Sequence, residues 1–505
     1  MNIDGRQLIR GSFHAAGTSI FDSIHADTGK PLGHTFYEAT TDEVDQAAKA
    51  AAEAFMKLRT VDHKIRAAFL KSIAAEIALL GDEFIEMAAQ ETGLGIERLK
   101  GERARTMNQL NAFASFIEDG KWVRAIIDRA DPERKPLPKP DLRQMQIPLG
   151  PVAVFGASNF PFAFSVAGGD TASALASGCP VIFKAHPAHP VTCEMAAIAI
   201  IKAIEKSGLP TGTFSLVHGR SNDVGSTLVM HPLVKAVAFT GSFRGGKALF
   251  DLAVRRPDPI PVYAEMGSVN PVIILSSAIK DKSDAAARQL AASITVGSGQ
   301  FCTNPGLLLL RDEPDTHTFL AKVANELKAV PSATMLTSTI AESYLRGIAA
   351  QRKTAGVTSL SDEPGEQPNS HLLKINASDA LKNPSIMEEV FGPSSVAIIS
   401  RNIQELVSFC EKLDGQLTAT ILGEPAELEQ ALPIIQVLRE KVGRVIINGY
   451  PTGVEVSPAM VHGGPFPATT DSRSTSVGTS AIYRFTRPVC YQNFPQTLLP
   501  SELRD

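Results

Sequence analysis

Between residues 150 and 275, short unbroken apolar runs alternate with helix-forming stretches: PVAVFGA, CPVIFKA, TFSLVHG, VKAVAFTGS and IPVYAEMG. Strands that face water on one side alternate apolar and polar residues. Continuous runs predict strands covered on both faces, hence a parallel sheet flanked by helices. A second series follows in NPVIIL, LLLLR, SSVAII, LTATIL and GRVIIN. A chain of 505 residues has room for both sheets as separate domains.

Ahead of the first series the pattern is helical. TTDEVDQAAKAAAEAFMKL puts Val44, Ala47, Ala51, Phe55 and Leu58 on one face, and Thr40 and Glu43 have the spacing of a capping box. HKIRAAFLKSIAAEIALLG repeats the period and Gly81 predicts its stop. A third helix is expected through ERLKGERARTMNQLNAFASFIEDG. WVRAIIDRAD and LRQMQI are strand-like, and the Pro- and Lys-rich PERKPLPKPD between them excludes a helix. They predict an extended arm that pairs with another subunit, joined by the strand-like tail IYRFTRPVCYQNFP.

The fold class expected is therefore α/β, with two Rossmann-like parallel-sheet domains and a small β oligomerisation arm. Residues 1–122 and 149–267 form a dinucleotide-binding domain, 268–465 a catalytic domain, and 123–148 with 466–505 the arm and tail. A homodimer or homotetramer follows.

The net charge of -4 draws the chain neither to nucleic acid nor to an anionic membrane, so any phosphate must be held locally. No basic-then-apolar leader and no apolar run of spanning length is visible. The five cysteines, Cys179, Cys193, Cys302, Cys410 and Cys490, form no CxxC pair and no dense framework, which fits a reducing cytoplasm. His186 and His189 in KAHPAHP are interrupted by prolines and have no partners at ligand spacing, so no metal site is expected.

Four segments can carry chemistry. Cys302 in VGSGQFCTNPG stands at a helix-to-loop break, where a cysteine can be a nucleophile or a small buried hydrophobe. Glu265 in VYAEMGSVNP ends an apolar strand, where ligands of open α/β sheets bind. Asn159 in FGASNFPF also follows a strand, and its amide can donate to an oxyanion or merely make a turn. FTGSFRGGKA opens a helix with Gly241, Ser242 and Gly246, a ready phosphate site. It nearly matches a P-loop, but Ala248 stands where the magnesium-binding Ser or Thr is needed, and no strict GxGxxG is present.

Taken in order, SNFPF, a strand ending in Lys184, FTGS with Gly246, EMGSVNP, GQFC and EEVFGP resemble the aldehyde dehydrogenase superfamily. The resemblance runs from about residue 20 to the C-terminus. It implies an NAD(P)-dependent oxidation of an aldehyde to an acid through a thioester. Cys302 would be the nucleophile, Glu265 the general base, and Asn159, with the Cys302 N–H, the oxyanion donor. Lys184 would contact the adenosine ribose, Gly241, Ser242 and Gly246 the pyrophosphate, and Glu389 and Phe391 the nicotinamide end.

Pro187 stands where the family usually has a ribose-binding Glu, and Arg220 in VHGRSND could face a 2′-phosphate, so NADP is expected to be favoured over NAD. Ser268 replaces a frequent Gly, and Phe162 a frequent Trp expected in the substrate tunnel. These departures resemble the α-ketoglutaric semialdehyde dehydrogenase branch, with an NADP-specific fatty-aldehyde branch as the alternative. An acidic substrate asks for a cation at the tunnel mouth, and Arg105 is the candidate. Transfer of the acyl group to coenzyme A would not need Glu265. A P-loop nucleotide-binding protein would need more than GSFRGGKA, and a non-catalytic relative would not keep Cys302, Glu265 and Asn159 together.

Overall fold

A computed structural model describes residues 2–505 apart from 281, 333, 364 and 366. Two seven-stranded sheets carry the molecule. The first has the order Val262–Glu265, Ala236–Thr240, Val152–Phe155, Val181–Lys184, Phe214–Val217, Gln7–Ile9, Ser12–His14. The first five strands in this order are parallel, and the burial of every residue in Val152–Phe155 and Phe214–Val217 explains their unbroken apolar sequences. The two N-terminal strands form an antiparallel hairpin that joins the sheet through Leu8 and Leu216. Its turn is Arg10-Gly11, both at positive φ (55° and 77°), the twist that matches a two-residue hairpin.

The second sheet has the order Thr358–Ser359, His371–Asn376, Ser394–Ser400, Leu307–Arg311, Val272–Ile274, Gln416–Leu422, Val442–Ile447. All its pairs are parallel except the one made by Thr358–Ser359. The strand His371–Asn376 belongs to no apolar run noted in the sequence, because His371 and Lys374 break it.

The helices stand close to their expected places. Thr41–Leu58 starts with the capping box of Thr40 and Glu43, both reciprocal bonds present. Gly81 separates His63–Leu79 from a helix the sequence pattern hid, Gly81–Thr92. Ile96–Ile117 then lies across the others, with Leu99, Leu110, Phe113 and Ile117 buried in the main core.

The arm is a three-stranded sheet in the order Thr486–Gln492, Leu142–Pro148, Ile126–Asp128. The expected boundary at 466 does not hold. Met266 N–H donates to Ala468 O at 2.8 Å and Thr470 N–H to Ala264 O at 3.2 Å, so this segment borders the first sheet. Ile482 and Phe485 lie in the main core, and Arg484 pairs with buried Asp170 at 2.7 Å. Of this stretch Thr486–Gln492 joins the arm, whereas Ala481, Ile482 and Phe485 just ahead of it are drawn into the core. Among the described residues, no helix is long and apolar enough to cross a membrane.

Candidate active site

Cys302 lies on the loop between helix Ser283–Thr295 and strand Leu307–Arg311 of the second sheet. The loop is forced out of helical geometry by three consecutive left-handed residues, Gly297 (φ 57°), Ser298 (φ 57°) and Gly299 (φ 66°). Ser298 holds this conformation at a cost of about 1–3 kcal/mol, offset by its surroundings. A Cβ on Gly299 would come within 2.3 Å of the Gly392 carbonyl carbon, so only glycine lets the two loops touch. Behind the cysteine, Asn270 Nδ2 donates to the carbonyls of Cys302 and Asn304, both at 2.9 Å. Ser268 contacts Asn270 Oδ1 and Gln416 Oε1 at 2.9 Å, so the residue that replaces glycine is part of this brace.

Glu265 comes from the edge strand of the first sheet and is 3% exposed. Its Oε1 accepts from His462 Nε2 at 2.8 Å and its Oε2 from Ser476 Oγ at 2.6 Å. The same His462 Nε2 lies 3.6 Å from Cys302 Sγ. A carboxylate can only accept, so Nε2 carries the proton between them. Burial pushes Glu265 upward, but the charge and hydrogen bond of His462 and the hydroxyl of Ser476 outweigh it and hold the carboxyl below its ordinary range. The Cys302 thiol is pushed well above its ordinary range by burial and by the negative charge of Glu265. The resting pair is thus a neutral thiol facing an ionised carboxylate, with the imidazole between them. His462 and Ser476 were not found in the sequence, because they lie about 200 residues beyond Glu265 and no spacing links them. The donors of Glu265, Cys302 and His462 lie within 4.8 Å of one another, and among the described residues no other such trio has metal-ligand spacing.

Asn159 follows strand Val152–Phe155 and is 7% exposed. Its Nδ2 donates to Gln300 O at 2.9 Å, which ties the first domain to the cysteine loop and leaves a second N–H. Arg98 reinforces the tie. Its Nη2 donates to Asn159 O at 2.6 Å, and its guanidinium lies over both Phe160 (5.1 Å) and Phe301 (4.7 Å).

A cavity of about 370 Å³ runs from Cys302, Glu265 and Asn159 to Gly241 and Ser242, with Gly267, Glu389 and Phe391 along it. Ser242 caps helix Phe243–Val254 by accepting from Gly245 N–H at 3.2 Å. A Cβ on Gly246 would lie 2.7 Å from Met266, so glycine lets this helix end press against the sheet. A Cβ on Gly267 would lie 2.1 Å from a Glu389 oxygen, so that carboxylate reaches the cleft floor only past glycine. Burial pushes Glu389 up to about 7. A helix N-terminus, small residues along the floor and a cleft ending at the sulfur together fit a dinucleotide. Lys247 points away from the helix end, pairing with Asp251 at 2.7 Å, which removes the P-loop reading.

Lys184 ends the strand that pairs with Val152–Phe155, and its amine, lowered to about 8 by burial, donates to Gly219 O. Arg220 is the next residue, exposed, with its backbone N–H on Glu38 Oε1 at 2.5 Å. Glu38 also accepts from Ser221 N–H at 2.8 Å and feels the charge of Lys184. A carboxylate that sequence reading overlooked, Glu38, therefore stands beside Lys184 and Arg220.

Phe162 is not in the tunnel. It is 2% exposed, packs on Phe84 with ring centroids 4.3 Å apart, and its N–H donates to buried Glu102. The rings beside Cys302 and His462 are Phe160, Phe164 and Phe301, and the turn at residues 161–164 sends Phe162 away from them into the core. Arg105 lies over Phe164 at 5.3 Å, and Phe164 in turn faces His462 with centroids 6.1 Å apart.

Three comparisons bear on this arrangement. A model of the aldehyde dehydrogenase family matches residues 13–466. The chain is 49% identical, over 99% of its length and 96% of the relative's, to an α-ketoglutaric semialdehyde dehydrogenase of Acinetobacter baylyi. It is 47% identical to α-ketoglutaric semialdehyde dehydrogenase 2 of Azospirillum brasilense, over 100% of this chain and 97% of that one. Its fold matches a crystal structure of betaine aldehyde dehydrogenase from Staphylococcus aureus in complex with NAD+, with a TM-score of 0.82 at 20% identity, covering 98% of this chain and 99% of that one.

Proposed function

The chain belongs to the aldehyde dehydrogenase family, and from that premise we propose that it oxidises α-ketoglutaric semialdehyde to 2-oxoglutarate with NADP favoured over NAD. Oxidation of an aldehyde to a carboxylic acid with a nicotinamide dinucleotide is the chain's activity. The semialdehyde is the finer reading, supported by the printed activities of two relatives that align along nearly its whole length.

The observation that carries the mechanism is the meeting of Cys302, His462 and Glu265 at one end of a cavity whose other end is the Ser242 helix cap. Cys302 Sγ bonds to the aldehyde carbon. Its proton passes to the Glu265 carboxylate beside it, while His462 Nε2 keeps its own proton and steadies Oε1; that proton leaves to solvent as the aldehyde is oxidised, so the carboxylate is free again for the next step. The second N–H of Asn159, with the Cys302 backbone N–H, holds the oxygen as it becomes anionic. A bound nicotinamide supplies the hydride acceptor. Gly241, Ser242 and Gly246 are assigned to the pyrophosphate, Lys184 to the adenosine ribose, and Glu389 and Phe391 to the nicotinamide end. After oxidation the acyl group remains on Cys302 as a thioester. Glu265 then takes a proton from water, which attacks the carbonyl carbon and frees the acid and the thiol.

Arg220, beside Lys184, and Pro187, which removes a carboxylate, favour a 2′-phosphate. Glu38 opposes it, so the preference depends on Glu38 staying engaged with the backbone of residues 220 and 221. The exposed edge of Thr486–Gln492 supports pairing into a homodimer or homotetramer through the arm. The five cysteines are unpaired, which suits a cytoplasmic enzyme with a working thiol. The test is a screen of α-ketoglutaric semialdehyde, succinic semialdehyde, glutaraldehyde and medium-chain aldehydes with each dinucleotide, with Cys302→Ser as control. The highest kcat/KM is expected for the first substrate with NADP. A tenfold preference for NAD, or for an uncharged medium-chain aldehyde, overturns the corresponding half of the reading.

A further inference from the structure

Helix Ile96–Ile117 turns Arg98, Glu102 and Arg105 to one face, at the i, i+4, i+7 spacing that lines them up toward the Asn159 loop. Two of the three are occupied in holding that loop. Arg98 binds the Asn159 carbonyl and two aromatic rings, and Glu102 accepts the N–H groups of Phe162 and Ala163 at 2.8 and 3.0 Å. Each of the three keeps one buried atom without a partner in the protein: Arg98 Nη1, Glu102 Oε2 and Arg105 Nη1. Arg105 differs in that its single hydrogen bond, to Val454 O, is long at 3.4 Å.

A second arginine resembles it. Arg444, on the edge strand Val442–Ile447, donates Nη1 to Gly453 O at 2.7 Å and Nη2 to Pro451 O at 2.8 Å, while its Nε is buried without a partner. The two arginines thus grip the same segment, residues 451–454, from different elements. Neither lines the cavity that joins Ser242 to Cys302. Both nevertheless lie close enough to Cys302 for their charges to act on its thiol. Arg105 lies over Phe164, which packs in an apolar cluster with Phe160, Val454, Val456 and Met460. Burial disfavours the charge on each guanidinium. Such a pair, partly desolvated, with N–H groups to spare and apolar side chains beside it, is matched to a planar anion with a carbon chain.

We propose that Arg105 and Arg444 form the subsite for the terminal carboxylate of the substrate, on the far side of Cys302 from the dinucleotide cleft. The inference rests on the α-keto semialdehyde reading above and adds the residues that would select it. The carboxylate oxygens accept from Arg105 Nη1 and Arg444 Nε, and the apolar side chains carry the carbon chain between them and the sulfur. Arg98 is a positioning residue, since its groups already hold the Asn159 loop.

The test compares α-ketoglutaric semialdehyde with pentanal, which has the same number of carbons and no carboxylate. Arg105→Met and Arg444→Met keep the stem and remove the charge. Each is expected to lose about 30-fold or more in kcat/KM on the semialdehyde, mainly in KM, as befits a lost hydrogen-bonded charge. On pentanal each should change threefold or less. Glutarate, used as a competing dicarboxylate, should inhibit the wild type and lose at least tenfold in potency in both variants. Equal losses on the two aldehydes, with glutarate inhibition retained, would show that the arginines only support the 451–454 segment and would overturn the subsite. The wild-type enzyme decides the separate question of substrate: a preference for pentanal would overturn the semialdehyde reading whatever the variants do. Arg105→Lys, which keeps the charge but not the fork, should recover part of the semialdehyde activity, and no recovery beyond Arg105→Met counts against direct contact.

Discussion

Replacing Asn159 with alanine tests the centre of the mechanism at one atom. The side chain is 7% exposed and makes one protein hydrogen bond, to Gln300 O at 2.9 Å. Two effects can therefore be separated. Loss of the bond to Gln300 loosens the cysteine loop and costs about 0.5–1.5 kcal/mol, the net value of a neutral hydrogen bond. Loss of the second N–H removes a donor to an oxygen that becomes charged only in the transition state, worth about 2.7–4 kcal/mol, or a factor of roughly 100–1,000 in kcat. The second effect dominates, so kcat should fall at least about a hundredfold with KM changed little. Arg98→Met provides the comparison: it disturbs the same loop through Asn159 O but leaves the amide in place, and should lose far less. The assay is single-turnover formation of reduced dinucleotide, with the rate of Cys302 alkylation as a measure of thiol integrity. If Asn159→Ala lost less than threefold while alkylation stayed normal, the amide would have no part in holding the oxyanion.

His462→Asn removes the group that keeps the Glu265 carboxyl low. A carboxyl held low stays ionised down to lower pH, so without His462 the acid limb of the kcat/KM profile should move to higher pH; an unmoved limb refutes the pairing. Glu38→Gln removes the negative charge beside Lys184 and should raise the ratio of kcat/KM for NADP over NAD severalfold; a fall in that ratio contradicts the placement of the adenosine end. Gly267→Ala puts a Cβ 2.1 Å from Glu389, which must swing out of the cleft. The variant should fold, as judged by circular dichroism, yet show a dinucleotide KM raised about tenfold or more; an unchanged KM would detach Glu389 from cofactor binding.

Much of the architecture was legible because it depends on local rules. Continuous apolar runs identified the buried parallel strands, the Thr40–Glu43 box fixed a helix start, and FTGS marked the Ser242 cap. What escaped depends on distant partners. The hairpin of Gln7–Ile9 and Ser12–His14 is only three residues per strand and is stabilised by the sheet it joins, although Arg10-Gly11 is a turn signal that could have exposed it. Residues 468–485 read as tail because nothing local says that Ile482 and Phe485 are buried under the first sheet. Phe162 was misplaced by analogy with a tunnel residue, whereas Glu102 pulls its backbone toward the helix and its ring into the core. His462 was invisible for a different reason. An isolated histidine in a glycine-rich loop carries no signal until the fold brings it between Glu265 and Cys302.

The reacting groups have separate origins: Asn159 and Glu265 belong to the first sheet, Cys302 to the second, and His462 to the strap that returns from one to the other. Chemistry of this kind works only at a closed seam, with Arg98 wedged across it between Phe160 and Phe301 like a dowel. Turnover is consequently a more sensitive gauge of docking than any spectroscopic measure of helix or strand. Under rising urea, oxidation of the aldehyde should vanish while both halves still keep their far-ultraviolet signature, and a hybrid that imports a foreign second half must import complementary rings at 160 and 301 as well.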